Sequence, residues 1–170
     1  MVGSDAEKAI ASTGIRFVEV QHADCSQFSG PEANQLSQVY RSLLKQRWID
    51  RNGKEAPIRS ADILVVSPYN MQVDLLRRTL PNGARVGTVD KFQGQEAAVV
   101  LISMATSSAE DMPRNVEFLF SRNRLNVAIS RARCLAVIFA NPRLLETPCS
   151  TIEQMRLVNA LCWAHTYAGI

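Results

Sequence analysis

Two clusters of polar residues stand at the ends of apolar runs, where a packed core has no use for them. The first reads Gly87-Thr88-Val89-Asp90-Lys91-Phe92-Gln93-Gly94-Gln95-Glu96. A threonine hydroxyl and free backbone N–H groups just after a strand can hold a phosphate. Gly94 lets backbone approach a ligand closely, and Glu96 offers acceptors for sugar hydroxyls. The same spacing also describes a plain turn, capped by Asp90, bent at Gly94, with Glu96 in solvent. The second cluster reads Arg124-Leu125-Asn126-Val127-Ala128-Ile129-Ser130-Arg131-Ala132-Arg133. On a helix Arg124 and Arg131 project from nearly the same face, opposite a stripe of Leu125, Ala128, Ile129 and Ala132. A solvated basic face is the ordinary fate of such a run. Yet Arg114, Arg122, Arg124, Arg131 and Arg133 have only Glu117 among them. Density of one sign is costly without an anion nearby, and an arginine aimed at a γ-phosphate stabilises charge in phosphoryl transfer.

Ser67-Pro68-Tyr69-Asn70-x-Gln72 is a third candidate. A proline-fixed turn with a hydroxyl and an aromatic ring at a strand end suits a nucleic-acid strand. It equally describes a capped turn with Tyr69 packed on the core.

The elements that must position these groups alternate strand and helix. Arg16–Gln21 has the period of a strand. Ser29-x-x-Glu32 is a capping box, with Pro31 in the first turn of a helix that carries Ala33, Leu36, Val39, Tyr40, Leu43 and Leu44 on one face. Lys45 and Arg47 mark its end, and Arg51-Asn52-Gly53 is a turn. Ile63–Val66, Arg85–Val89, Val99–Ser103 and Leu135–Ala140 read as strands, most of them short continuous apolar runs of the kind buried on both faces. A helix with Val73, Leu76 and Leu80 follows Asn70. Residues 105–116 read as a polar loop. Thr151-x-x-Gln154 caps a last helix with Met155, Val158 and Leu161 inward. This pattern predicts an α/β fold with an open, mainly parallel sheet and helices on both faces. Ligands then bind at the carboxyl ends of the strands, beyond Val66, Val89 and Ser103.

A chain of 170 residues with 46% hydrophobic and 21% charged residues is globular and forms one domain. Residues 1–13 are expected to be a flexible segment and residues 14–168 the domain. No apolar run is long enough to span a bilayer, and MVGSDAEK lacks the apolar core of a signal peptide. Four cysteines without C-x-x-C spacing point to a reducing, cytoplasmic setting, with Cys134 read as a buried thiol. His22 and His165 lie near opposite ends, so no metal site is expected. The net charge of +3 is only a weak pointer to a polyanionic partner.

The three motifs together resemble motifs IV, V and VI of superfamily 1 helicases, in the group of the nonsense-mediated-decay and Okazaki-fragment-processing enzymes. The likeness runs from about Gly14 to Trp163 and implies the second, C-terminal RecA-like domain. By that resemblance Thr88 touches the nucleic-acid backbone, Glu96 binds the ATP ribose, and Arg131 is the arginine finger, with Ser130 in place of the commoner threonine. Gly94 and Arg124 are expected at the nucleotide too, and Ser67 and Tyr69 at the single strand. Gln95 stands where an arginine or lysine is usual. SMATSSAEDMPRNVEFLFSRNRLNVAISRARC and MRLVNALC are most similar to the helicase region of bacterial fusions with a RecB-like nuclease. A role in DNA repair is expected, with single-stranded nucleic acid, DNA ahead of RNA, as partner.

No G-x-x-x-x-G-K-[ST] and no D-E-x-x motif is present. The phosphate loop and the magnesium carboxylates of ATP hydrolysis would therefore come from an N-terminal RecA-like partner domain. Two other classes remain open: a non-catalytic nucleic-acid-binding module, and a small-molecule enzyme, which would need a nucleotide loop of its own.

Overall fold

The computed structural model describes residues 13–49, 52–92, 94–112 and 122–168; for residues 122–124 it describes the backbone only. Five parallel strands form the sheet: β1 (Gly14–Glu19), β4 (Ile63–Val66), β5 (Arg85–Gly87), β6 (Ala97–Ser103) and β7 (Ala132–Ala140), in the order β1-β7-β6-β4-β5. This is a RecA-like α/β fold.

The period of two along each strand sorts its side chains between two cores. Leu64, Val66, Val100, Ile102 and Ile138 pack under α3 (Arg122–Ser130) and α4 (Ile152–Ala168), against Leu125, Ala128, Leu157 and Leu161. Ile63, Val65, Val99, Leu101 and Val137 pack on the other face, under α1 (Gly30–Leu43) and α2 (Asn70–Thr79). Both faces are covered, so the central strands read as unbroken apolar runs. Edge strand β1 keeps its alternation: Ile15 and Phe17 face one core, Val18 and Val20 the other.

Several details depart from the sequence expectations. Helix α1 stops at Leu43, and Arg47–Ile49 (β2) pairs antiparallel with Glu55–Pro57 (β3). The hairpin takes into its first strand Arg47, which the sequence pattern places at the helix end. Its signal was the β-forming Trp48-Ile49 before an Asn-Gly turn. In α4 Met155 points outward, 48% exposed, whereas Val158 and Leu161 are buried. Ala132 opens β7 rather than closing α3, and Cys134 is only half-buried. The loop read as polar from residue 105 is polar but buried as far as Ser108; residues 113–116 lie outside the described residues.

Only half of the capping box forms. The Ser29 hydroxyl accepts from the Glu32 amide at 3.3 Å, as expected. The Glu32 side chain does not reach back. It is buried and accepts from the Ser103 hydroxyl at 2.5 Å and the Ala105 amide at 2.9 Å, with His22 Nε2 at 3.0 Å. Gln72 takes the vacated place: its Oε1 accepts from the Ser29 amide at 2.8 Å, and its Nε2 donates to Ser103 Oγ at 2.8 Å. Ala105 sits at φ +66°, which costs a non-glycine residue about 1–2 kcal/mol. A hydrogen bond to a charged group is worth about 1.5–3 kcal/mol, enough to hold that conformation.

Glu32→Ala would strand the Ser103 hydroxyl and the Ala105 amide in a dry site. Urea unfolding of the chain should show a loss of about 3 kcal/mol or more, and Glu32→Gln a smaller one. Equal stability of Glu32→Ala and the parent chain would contradict this account.

Candidate functional site

The sequence clusters fall on two opposite edges of the sheet. At the carboxyl edge, β4 and β5 pair in register through Val66 and Gly87, and the Ser67 amide donates to the Gly87 carbonyl at 3.2 Å. Ser67 and Thr88 therefore leave the sheet side by side. Thr88 is half-buried, and its hydroxyl has no partner among the described residues. Its carbonyl accepts from the Lys91 amide at 3.1 Å and opens a short 3₁₀ turn over Val89–Phe92. Gly87 permits that turn, because a Cβ there would stand 2.6 Å from the Lys91 side chain and 3.1 Å from the Phe92 ring.

Tyr69 is not presented at this edge. Its ring is 4% exposed, and its hydroxyl lies 3.3 Å from Thr106 Oγ1. Ser67 is fully buried and accepts from the Tyr69 amide at 3.4 Å. Their side chains thus shape the turn from below. The exposed apolar groups are Phe28 and Met71, at 51% and 50%. Each adjoins one partner of the Ser29–Gln72 hydrogen bonds, which tie the β1–α1 loop to the first turn of α2. Phe28 was missed because it belongs to no motif; its neighbour Ser29, read as a helix cap, was the only pointer.

Glu96, Arg131 and Arg133 lie at the amino edge of β6 and β7. Strand β6 starts at Ala97, whose register partner is Ala132, and the Ala97 amide donates to the Arg131 carbonyl at 3.0 Å. Glu96 and Arg131 are therefore neighbours on adjacent strand ends. The expectation that all ligand groups share the carboxyl edge fails for this pair. Glu96 precedes β6 instead of following a strand, and Arg131 precedes β7.

Arg131 is also not part of the helix. Helix α3 ends at Ser130, and the Arg131 amide closes its last turn on the Val127 carbonyl at 3.2 Å. The seven-residue spacing to Arg124 therefore does not set its direction, and the Arg124 side chain lies outside the described residues. Arg131 is half-buried, and its Nε is buried with no partner among the described residues. An unsatisfied buried donor costs about 1–3 kcal/mol, more when charged, so this group calls for an acceptor. Glu96 is exposed and makes no ion pair with a described residue. Gln95 uses its amide oxygen to accept from Arg85 at 2.5 Å, so the usual cation is replaced by an acceptor that anchors Arg85. Gly94 has φ +78° and open space beside it, which makes its glycine a conformational requirement. Arg133 stands over the Trp48 ring, 5.2 Å from its centroid.

No cluster of three or more metal-ligating side chains occurs among the described residues, and no described helix is long and apolar enough to cross a membrane. All four cysteines are free, and burial raises the Cys162 thiol above its usual range.

A parallel five-stranded sheet with helices on both faces is the build of a RecA-like α/β domain. A family described as "AAA domain" matches residues 8–143, and the chain belongs to that family. It is 36% identical over 145 residues to "RNA helicase Mov10l1" of Mus musculus, covering 80% of this chain and 12% of that protein. It is 42% identical over 127 residues to "DNA-binding protein SMUBP-2" of Mus musculus, covering 73% and 12%. "Probable RNA helicase armi" of Drosophila melanogaster is 39% identical over 98 residues, covering 53% and 8%. The chain thus spans about a tenth of the length of these relatives, and it is a superfamily 1 helicase domain by sequence.

Gly94 gives a direct check on the loop. Gly94→Asn should be tolerated, because asparagine adopts positive φ, whereas Gly94→Val should cost about 2 kcal/mol or more. Thermal unfolding that ranks the two variants equally would remove the conformational reason for this glycine.

Proposed function

We propose that this chain is the C-terminal motor domain of an ATP-dependent DNA or RNA helicase. The observation that carries the reading is the neighbouring of Glu96 and Arg131 on adjacent strand ends, with a buried Arg131 donor that lacks an acceptor. ATP would draw the half-buried Arg131 side chain outward, so that a phosphate oxygen meets its Nε–H, and Glu96 is exposed for ribose hydroxyls. ATP would supply the phosphoanhydride whose hydrolysis drives movement. A partner RecA-like domain would supply the phosphate-loop lysine and the magnesium carboxylates, since this sequence holds neither motif. Gly94 holds the Glu96 loop in shape.

At the opposite edge Thr88 would hold a backbone phosphate of a single strand. Phe28 takes the stacking role first given to Tyr69, because its ring is the exposed one at this edge. Ser67 and Tyr69 support the turn that the strand crosses. These groups suit phosphates and base faces rather than base edges, so binding is indifferent to sequence. DNA and RNA are equally compatible with them. A fused RecB-like nuclease, a role in DNA repair and a cytoplasmic setting complete this reading, which the sequence motifs support.

In the longer polypeptide that joins this chain to its partner domain, Arg131→Ala should leave ATP binding nearly intact and lower turnover by about 10³-fold or more. Arg131→Lys should restore little, since an ammonium lacks the planar fork. Normal turnover in both variants would refute the assignment. The 170-residue chain by itself should not turn over ATP.

Single-strand binding by this chain should be weak, with a Kd on the order of 10⁻⁴–10⁻⁶ M, and should weaken further with salt. Thr88→Val should reduce it alike for all sequences, and Phe28→Ala by roughly 1–3 kcal/mol. Fluorescence anisotropy with labelled oligonucleotides measures both. Tight binding to one duplex sequence, insensitive to both variants, would favour a sequence-specific binding module.

A further inference from the structure

We infer that the amino edge holds a nucleobase subsite walled by Trp48, next to Glu96; the inference rests on the nucleotide reading above and deepens it. Two adjoining clefts open there. One, of about 510 Å³, is lined by Trp48, Asn52, Glu96 and Arg133. The other, of about 390 Å³, is lined by Trp48 together with Leu43, Ile58, Val99 and Leu135. Thr13, Trp48, Ile49 and Cys134 line both, so the two are lobes of one depression. Each lobe falls in the size range of small-molecule sites, about 300–1,000 Å³.

The chemistry of the lobes differs in the way that a nucleotide differs along its length. The first offers a carboxylate and a guanidinium, suited to sugar hydroxyls and phosphate oxygens. The second offers mainly aliphatic walls and an indole, with Gln46 and Arg47 in its lining, suited to a flat ring with polar edges. Trp48 stands at the junction and is held there twice. The β2–β3 pairing fixes its backbone opposite Ala56, and the Arg133 guanidinium stands over its ring. A ribose at Glu96 therefore leaves its base directed at the Trp48 lobe. Stacking on a fixed indole tolerates any base but favours the larger face of a purine.

The test uses the 170-residue chain carrying Trp163→Phe, so that Trp48 is its one remaining tryptophan. ATP should quench Trp48 fluorescence saturably, while tripolyphosphate, which has neither base nor sugar, should bind without quenching. By calorimetry Trp48→Leu should weaken ATP binding at least about fivefold and leave tripolyphosphate binding unchanged. Trp48→Phe should retain most of the affinity, and circular dichroism should show both variants folded. Absence of a Trp48 response at millimolar ATP, or unchanged ATP affinity in Trp48→Leu, overturns the subsite. If tripolyphosphate binding and the Arg131 kinetics hold in that case, only the base subsite is lost. If those fail as well, the nucleotide reading falls with it.

Discussion

The buried carboxyl group of Glu32 is the constraint on which the carboxyl edge depends. It lies in the first turn of α1, yet it satisfies the hydroxyl and amide at the end of β6 and contacts His22 in the loop after β1. Ser107 Oγ then meets the other ring nitrogen of His22 and accepts from the Cys25 amide, while the Ser107 amide donates to the Cys25 carbonyl. Asn141, just past β7, holds the His22 carbonyl, and Gln72 brings in α2. One network thus fastens the exits of β1, β6 and β7 to the starts of two helices. Glu32, Gln72, Ser103, Ser107 and Asn141 are buried, so a broken bond among them leaves a polar group without water, and the arrangement resists partial opening. The serine–histidine–glutamate sequence within it resembles a hydrolytic triad in order only. Ser107 and Glu32 are fully buried, so no substrate reaches them.

The same network mounts exposed apolar groups of this edge. Phe28 sits one residue before the Ser29–Gln72 bonds, and Met71 one residue before Gln72. The exposed apolar groups are therefore mounted directly on the buried polar clamp.

The amino edge is organised by strand register instead. Pairing of β6 with β7 brings Ala97 opposite Ala132, and the residues just before them become neighbours without a direct bond between their side chains. The Arg131 backbone serves both elements: its amide ends α3 and its carbonyl starts the β6–β7 ladder. With the backbone so fixed, only its side chain is left to respond to a ligand. The sheet thus separates Glu96 and Arg131 from Ser67 and Thr88 by the length of its central strands.

Period and apolar runs in the sequence by themselves determined most of the sheet-and-helix order and the two-faced core, while Thr88, Glu96 and Arg131 stood out only through the resemblance of their motifs. Those features are local, since side-chain period and strand or helix type are set within a few residues. The sequence could not show that the sheet sends these residues to opposite edges, because register between β6 and β7 joins segments more than thirty residues apart. Nor could it show that Tyr69 turns inward while Phe28 stays in solvent, a choice made by Thr106 and Gln72 from other strands and helices. Glu32 is the clearest case. Its spacing from Ser29 fits a reciprocal cap, but the Ser103 hydroxyl and the Ala105 amide need a buried acceptor more than the helix start does. Gln72 can serve the helix start, and only the tertiary structure brings it there.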